Sequence, residues 1–227
     1  MRTAAVLPVK SFARAKQRLG GSVSEEVRLA LAQAMVADVL LALAETPSIA
    51  CTIVVTREAL VAASAREQGA LVVEDAAEDG QSAAVSLGIE RALEEGIERV
   101  LCIPGDCPAL DPSELETLLG QADGRREVVV VPDRHGTGTN GLLLTPPDII
   151  APSFGSDSCP RHRALALAAG VPSRIRRPAS LLLDIDTGAD LVALRDRLAG
   201  DPARAALTRA VLGRPEPAEA AQIIGAG

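Results

Sequence analysis

Residues 127–146 read EVVVVPDRHGTGTNGLLLTP, and within them Gly136, Gly138 and Gly141 stand in the spacing G-x-G-x-x-G. That is the spacing of a dinucleotide-binding fingerprint, which needs a strand before the glycines and a helix after them. The helix is required because its amino terminus receives the pyrophosphate. EVVVVPD (127–133) supplies the strand, but GLLLTP (141–146) is short, apolar and closed by Pro146 and Pro147. It therefore reads as a second strand, and it lies well past the first strand–helix–strand unit. The dinucleotide reading fails. What remains is a loop with flexible glycines, Thr137, Thr139 and Asn140, suited to gripping an anion through backbone amides.

Working outward, strand-like and helix-like runs alternate along the chain. Apolar runs at 4–9, 51–56, 70–74 and 99–106 predict four further strands, and LLLDIDT (181–187) predicts a last one. Helical patterns occupy about 24–44, the stretch ending near Gln68, 82–96, 112–119, 158–169 and 188–198. Ser22 and Glu25 have the spacing of a capping box for the first of these, and Pro112 suits a first helical turn. This alternation predicts a single α/β domain whose mainly parallel sheet is flanked by helices. Residues 200–227 are Ala- and Pro-rich and read as one more helix and a frayed end.

Composition narrows the function classes. Apolar residues make up 48% of the 227, yet the chain has two Phe, no Tyr and no Trp. An aliphatic core of this kind suits a helix-covered sheet, and stacking platforms for single-stranded nucleic acid are missing. The net charge of -7 argues further against nucleic acid as a partner. Cys51, Cys102, Cys107 and Cys159 form no C-x-x-C pair, and with two His a structural zinc site is not expected. Reduced cysteines, a first strand beginning near residue 4 and an apolar stretch broken by Gln33 and Asp38 together predict a soluble, cytoplasmic protein without a leader or membrane segment.

Ligands of open α/β sheets bind beyond the carboxyl ends of the strands. After the first strand, PVKSFARAKQRL brings Lys10, Arg14, Lys16 and Arg18 into one loop, which reads either as a solvated basic loop or as a phosphate grip. The fourth strand runs into PGDCPAL, where Asp111 suits the cap of the next helix and leaves Asp106 for chemistry. In LLLDIDT, Asp184 and Asp186 are two apart, which in a strand puts both carboxylates on one face. A divalent cation or a shared proton would relieve their repulsion. With Asp106 they make a set suited to one or two magnesium ions. FGSDSCPRHR (154–163) precedes a helix whose amino terminus favours anions. His162 and His135 read as exposed residues. The chain has no G-x-x-x-x-G-K-[ST] and no G-x-S-x-G, and the apolar setting of Cys102 and Cys107 argues against a thiol nucleophile.

In order, PVKSFARAKQRL, GDCPAL, DRHGTGTN, FGSDSCPRHR and DIDTGADL resemble the motifs of the CofC/FbiD family, the guanylyltransferases of coenzyme F-420 biosynthesis. The resemblance spans about residues 4–198 and implies a Rossmann-like, GT-A-type nucleotidyltransferase fold, with 1–199 as that domain and 200–227 of unassigned role. It implies magnesium on Asp106, Asp184 and Asp186, and a phosphorylated three-carbon acid held by Thr139, Gly155 and Ser158. It implies Lys10 and Lys16 around the GTP triphosphate, both as catalytic charges and as nucleotide contacts. GQSAAVSLG (80–88) resembles the part of related enzymes near base and ribose, making Gln81 and Ser82 candidates there. The implied reaction is attack of the acceptor's phosphate on the α-phosphorus of GTP, with release of pyrophosphate. Phosphoenolpyruvate is the expected acceptor, with 2-phospho-L-lactate and 3-phosphoglycerate as alternatives. Another GT-A-type nucleotidyltransferase, or a nucleotide-binding regulatory domain, are the competing classes. The oligomeric state stays open, a homo-oligomer included.

Overall fold

The computed structural model describes residues 1–12, 19, 23–121, 125–201 and 203–213. Its elements are β1 (Thr3–Val9), α1 (Glu25–Ala44), β2 (Cys51–Thr56), α2 (Ala59–Glu67), β3 (Leu71–Glu74), α3 (Gln81–Glu94), β4 (Arg99–Cys102), α4 (Pro112–Gly120), β5 (Glu127–Pro132), β6 (Thr139–Thr145), α5 (Ser158–Ala168), β7 (Ser173–Ile175), α6 (Gly188–Ala199) and α7 (Ala206–Leu212). The seven strands form one sheet in the order β3-β2-β1-β4-β6-β5-β7. β6 runs antiparallel to both of its neighbours, with Leu142, Leu143 and Leu144 opposite Cys102, Leu101 and Val100 of β4. All other pairs are parallel.

Alternation along the strands builds a core on each face. Ala5, Leu7, Val54, Leu101, Val129 and Leu143 point to one side, where α1, α2 and α4 cover them. Ala4, Val6, Ile53, Val100, Val130 and Leu142 point to the other, under α3 and α5. Gly88 lets α3 lie close on the sheet, since a Cβ there would come within 2.4 Å of Val6 Cγ1. A third apolar cluster joins Leu31 and Met35 of α1 to Leu191 and Leu194 of α6 and Val211 of α7. The buried Asp38 carboxylate of α1 accepts from the Leu207 and Thr208 amides, satisfying the first turn of α7.

Several expectations change. Residues 182–187 are not a strand. A short 3-10 turn, Ala179–Leu181, leads into irregular backbone, and Ile185 N–H donates to the Asp106 carbonyl. Both edges of β4 are already taken by β1 and β6, so this apolar run is buried against α1 and α6 without joining the sheet. A three-residue strand, β7, forms instead beside β5. β4 ends at Cys102, short of Asp106, and α1 is capped by Ser24, whose hydroxyl accepts from Val27 N–H. Ser22 lies outside the described residues. By length and composition α1 is apolar enough to cross a membrane, despite Gln33 and Asp38, but it is largely buried as a core helix.

Candidate active site

The loops after β1 and β4 open onto a cleft of about 350 Å³ on the carboxyl side of the parallel strands. The sheet makes this place available because the chain moves from β1 to β2 on one side and returns to β4 on the other, parting the loops between β1 and β4. Lys10, Gln81, Asp106 and Asp186 line it, with Phe12, Met35 and Val36 as an apolar wall. The charged and amide candidates from four separate segments thus meet in one place. Lys16, with Arg14 and Arg18, falls outside the described residues.

Asp184 is half-buried behind this cleft. Burial, and after it the Asp106 charge, push its carboxyl above the usual carboxylate range, with Asp186 adding to the shift. Asn140 works against them: its Nδ2 donates to Asp184 Oδ1 at 3.1 Å and to the Leu181 carbonyl at 2.8 Å. Asn140 therefore holds a carboxylate in place, where the sequence suggested a substrate grip. Asp190 does the same for the other side of the segment. Its Oδ2 accepts from the Asp186 and Thr187 amides at 3.1 and 2.7 Å, and its Oδ1 lies 2.5 Å from Arg134 Nη2. Burial alone would push this carboxyl up, but hydrogen bonds from Thr187 and the two amides, together with Arg134, hold it below the usual range. The Arg134 pair links the 133–138 loop to the Asp184–Asp186 segment. Asp190 carried one legible sign, its place at the third position of a capping box with Thr187.

Beside the cleft lies a second set. Thr139 opens β6 and is buried, with Oγ1 3.1 Å from His162 Nδ1. Ser158 starts α5 and is buried, whereas Gly155 is exposed, at a φ of 110° that favours glycine. Ser82 Oγ accepts from Phe154 N–H at 2.8 Å, so it ties the start of α3 to the 152–157 loop. Arg161 laces that same loop by donating to the Ser153, Phe154 and Ser156 carbonyls. His162 is fully buried, contrary to the expectation of an exposed helix residue. Burial, with Arg161 beside it, pushes its pKa down to about 4. His135 is exposed, as expected. Asp111 caps α4 by accepting from Ser113 N–H at 2.8 Å. Cys102 is buried, its thiol pushed up to about 12 by desolvation, which removes it as a nucleophile.

Among the described residues no group of three or more His, Cys, Asp or Glu side chains is placed to hold a metal ion. Magnesium does not ask for one, because it keeps several waters and is usually held by one or two carboxylates plus substrate phosphates. Asp106 and Asp186, on a shared cleft, offer the one or two carboxylates such an ion asks for, and Asp184 is close enough for their charges to act on it.

This architecture is that of the nucleotidyltransferases. A solved putative nucleotide-diphospho-sugar transferase from Desulfovibrio desulfuricans superposes with a TM-score of 0.74 at 17% identity, covering 93% of this chain and 94% of that one. A cytidylyltransferase from Leptospira borgpetersenii does so at 0.59 and 13% identity, covering 88% and 87%. Within that class the chain belongs to the family described as guanylyl transferase CofC like, whose model matches residues 3–206. A Conexibacter woesei protein named phosphoenolpyruvate guanylyltransferase is 48% identical over 213 residues, 93% of this chain and 96% of that protein. One of the same name from Sphaerobacter thermophilus is 35% identical over 191 residues, 84% and 91%.

Proposed function

We propose that this protein transfers GMP from GTP to phosphoenolpyruvate with release of pyrophosphate, as a soluble cytoplasmic enzyme supplying coenzyme F-420 biosynthesis. The observation that carries the reading is the meeting of Lys10, Gln81, Asp106 and Asp186 in one cleft at the carboxyl edge of the sheet. The relatives' shared name supports the choice of acceptor. We assign the chemistry to residues 1–199, with α7 resting against α1 and α6.

The acceptor's phosphate is already ionised, so no protein base or nucleophile is required. The barrier lies in bringing one anion onto another, and catalysis is mainly positioning and charge neutralisation. Lys10, together with Lys16, meets the triphosphate and stabilises charge that builds on the leaving pyrophosphate. Gln81 and Ser82, in the first turn of α3, stand toward the base and ribose. Asp106, Asp184 and Asp186 would hold magnesium, which when bound neutralises phosphate oxygens and orients the α-phosphorus for in-line attack. Thr139, Ser158 and the backbone at Gly155 hold the small acid beside them.

The test is to incubate the purified protein with magnesium, GTP and, separately, phosphoenolpyruvate, 2-phospho-L-lactate or 3-phosphoglycerate, and to measure pyrophosphate. Release with phosphoenolpyruvate above the other two is expected. Preference for another acid would replace the acceptor. Release with none would reject guanylyl transfer to these acids and favour a binding role.

A further inference from the structure

We infer that His162 is a positioning residue whose hydrogen bonds force the Thr139 hydroxyl to act as a donor, and so fit it to an anionic acceptor. The inference rests on the reading of Thr139 as an acceptor contact. Its basis is the polarity of two hydrogen bonds. The Ser153 backbone N–H donates to His162 Nε2 at 2.9 Å, and a backbone amide has no other role in a hydrogen bond. Nε2 must therefore present its lone pair, since a second N–H there would face the amide head-on. The ring proton is assigned to Nδ1, the nitrogen 3.1 Å from Thr139 Oγ1. Thr139 Oγ1 thus accepts from the ring, and its own proton points elsewhere.

Among the described residues no second partner takes up that hydroxyl proton. A buried hydroxyl with its accepting side satisfied and its donating side open is matched to an oxyanion and mismatched to a donor. The ring is held for this task. It is buried, Phe154 meets it edge-on with centroids 5.0 Å apart, and Ser82 fixes Phe154 in turn. One imidazole thereby joins β6, the 152–157 loop and α5.

The polarity is read directly by NMR of the unliganded wild-type protein, where nitrogen shifts and long-range proton couplings distinguish the tautomers. A neutral ring with the proton on Nδ1 is expected, and a proton on Nε2 would overturn the inference without any variant. Steady-state kinetics supply the functional arm. His162→Phe keeps a ring in the pocket and removes both nitrogens. It should raise the acceptor KM roughly tenfold to a hundredfold, the usual worth of a hydrogen bond to a charged group, with kcat and the GTP KM unchanged. His162→Asn places an amide nitrogen near Nδ1 and should restore acceptor affinity. His162→Gln places its amide near Nε2 and should not. Rescue by Gln and not by Asn would show that the ring merely anchors the loop, and would overturn the proposal. Thr139→Val separates the two readings. If it leaves the acceptor KM unchanged, Thr139 is not an acceptor contact and the site reading fails. If it raises that KM while His162→Phe does not, the site stands and the role of His162 falls.

Discussion

Asp184, proposed as a metal ligand, stands where burial works against its charge. Its pKa in the folded protein lies above its ordinary value because of burial and the charges of Asp106 and Asp186. A carboxyl raised in this way stabilises the fold as pH falls through the raised value, and at neutral pH its ionised form works against folding. Asp184→Asn removes the charge and keeps an oxygen for Asn140 to donate to. The variant should melt at the same or a slightly higher temperature and lose turnover by on the order of 10²–10³-fold. Asp106→Asn should lose turnover to a similar degree. Thermal unfolding and pyrophosphate release check both, and near-normal turnover in either would remove that residue from the metal set. The carboxylates were legible as a D-x-D after an apolar run, but their supports were not. Asn140 is 44 residues from Asp184, and no local pattern joins them. His162, read as an exposed residue, is buried although Arg161 and Arg163 flank it. Neighbours in a helix point about 100° apart, so flanking charges say nothing of the face between them.

At the scale of elements, α6 and the segment before it are one device. Thr187 caps the helix by accepting from Asp190 N–H, and the Asp190 carboxylate reaches back to the Thr187 and Asp186 amides. The cap that starts the helix therefore also fixes the backbone of a cleft carboxylate. Asp190→Ala should cost about 1–2 kcal/mol of stability, the worth of a lost cap, and should also lower kcat by loosening Asp186. Urea unfolding measured beside turnover checks this, and loss of stability with unchanged kcat would leave Asp190 a cap alone. β5 and β6 were readable because two apolar runs flank a glycine-rich loop and Pro146 forbids a continuing helix. LLLDIDT was misjudged because an apolar run reports burial, and burial is satisfied here by α1 and α6 without a strand partner. β7 was missed because Ser173–Ile175 is too short and polar for a period-2 pattern to register.

For the whole molecule, the two cores on either face of the sheet are built from apolar side chains, and the carboxylates of the cleft are not among them. Chelation of divalent metal with EDTA should therefore abolish turnover while far-UV circular dichroism and the melting temperature stay unchanged. Unfolding on chelation would make the ion structural. The sequence by itself determined the α/β class, the mainly parallel sheet and the rejection of a dinucleotide fingerprint at 136–141. These follow from composition, periodicity and the termination of local segments, which act over a few residues. Only the tertiary structure decided that β6 enters antiparallel between β4 and β5, and that the Asp184–Asp186 segment lies outside the sheet. It alone decided that Asn140 meets Asp184, that Asp190 meets the Asp186 and Thr187 amides, and that His162 meets Thr139. The physical reason is that strand neighbours and buried hydrogen-bond partners are chosen by competition among segments far apart in the chain, where each edge and each buried donor admits one solution.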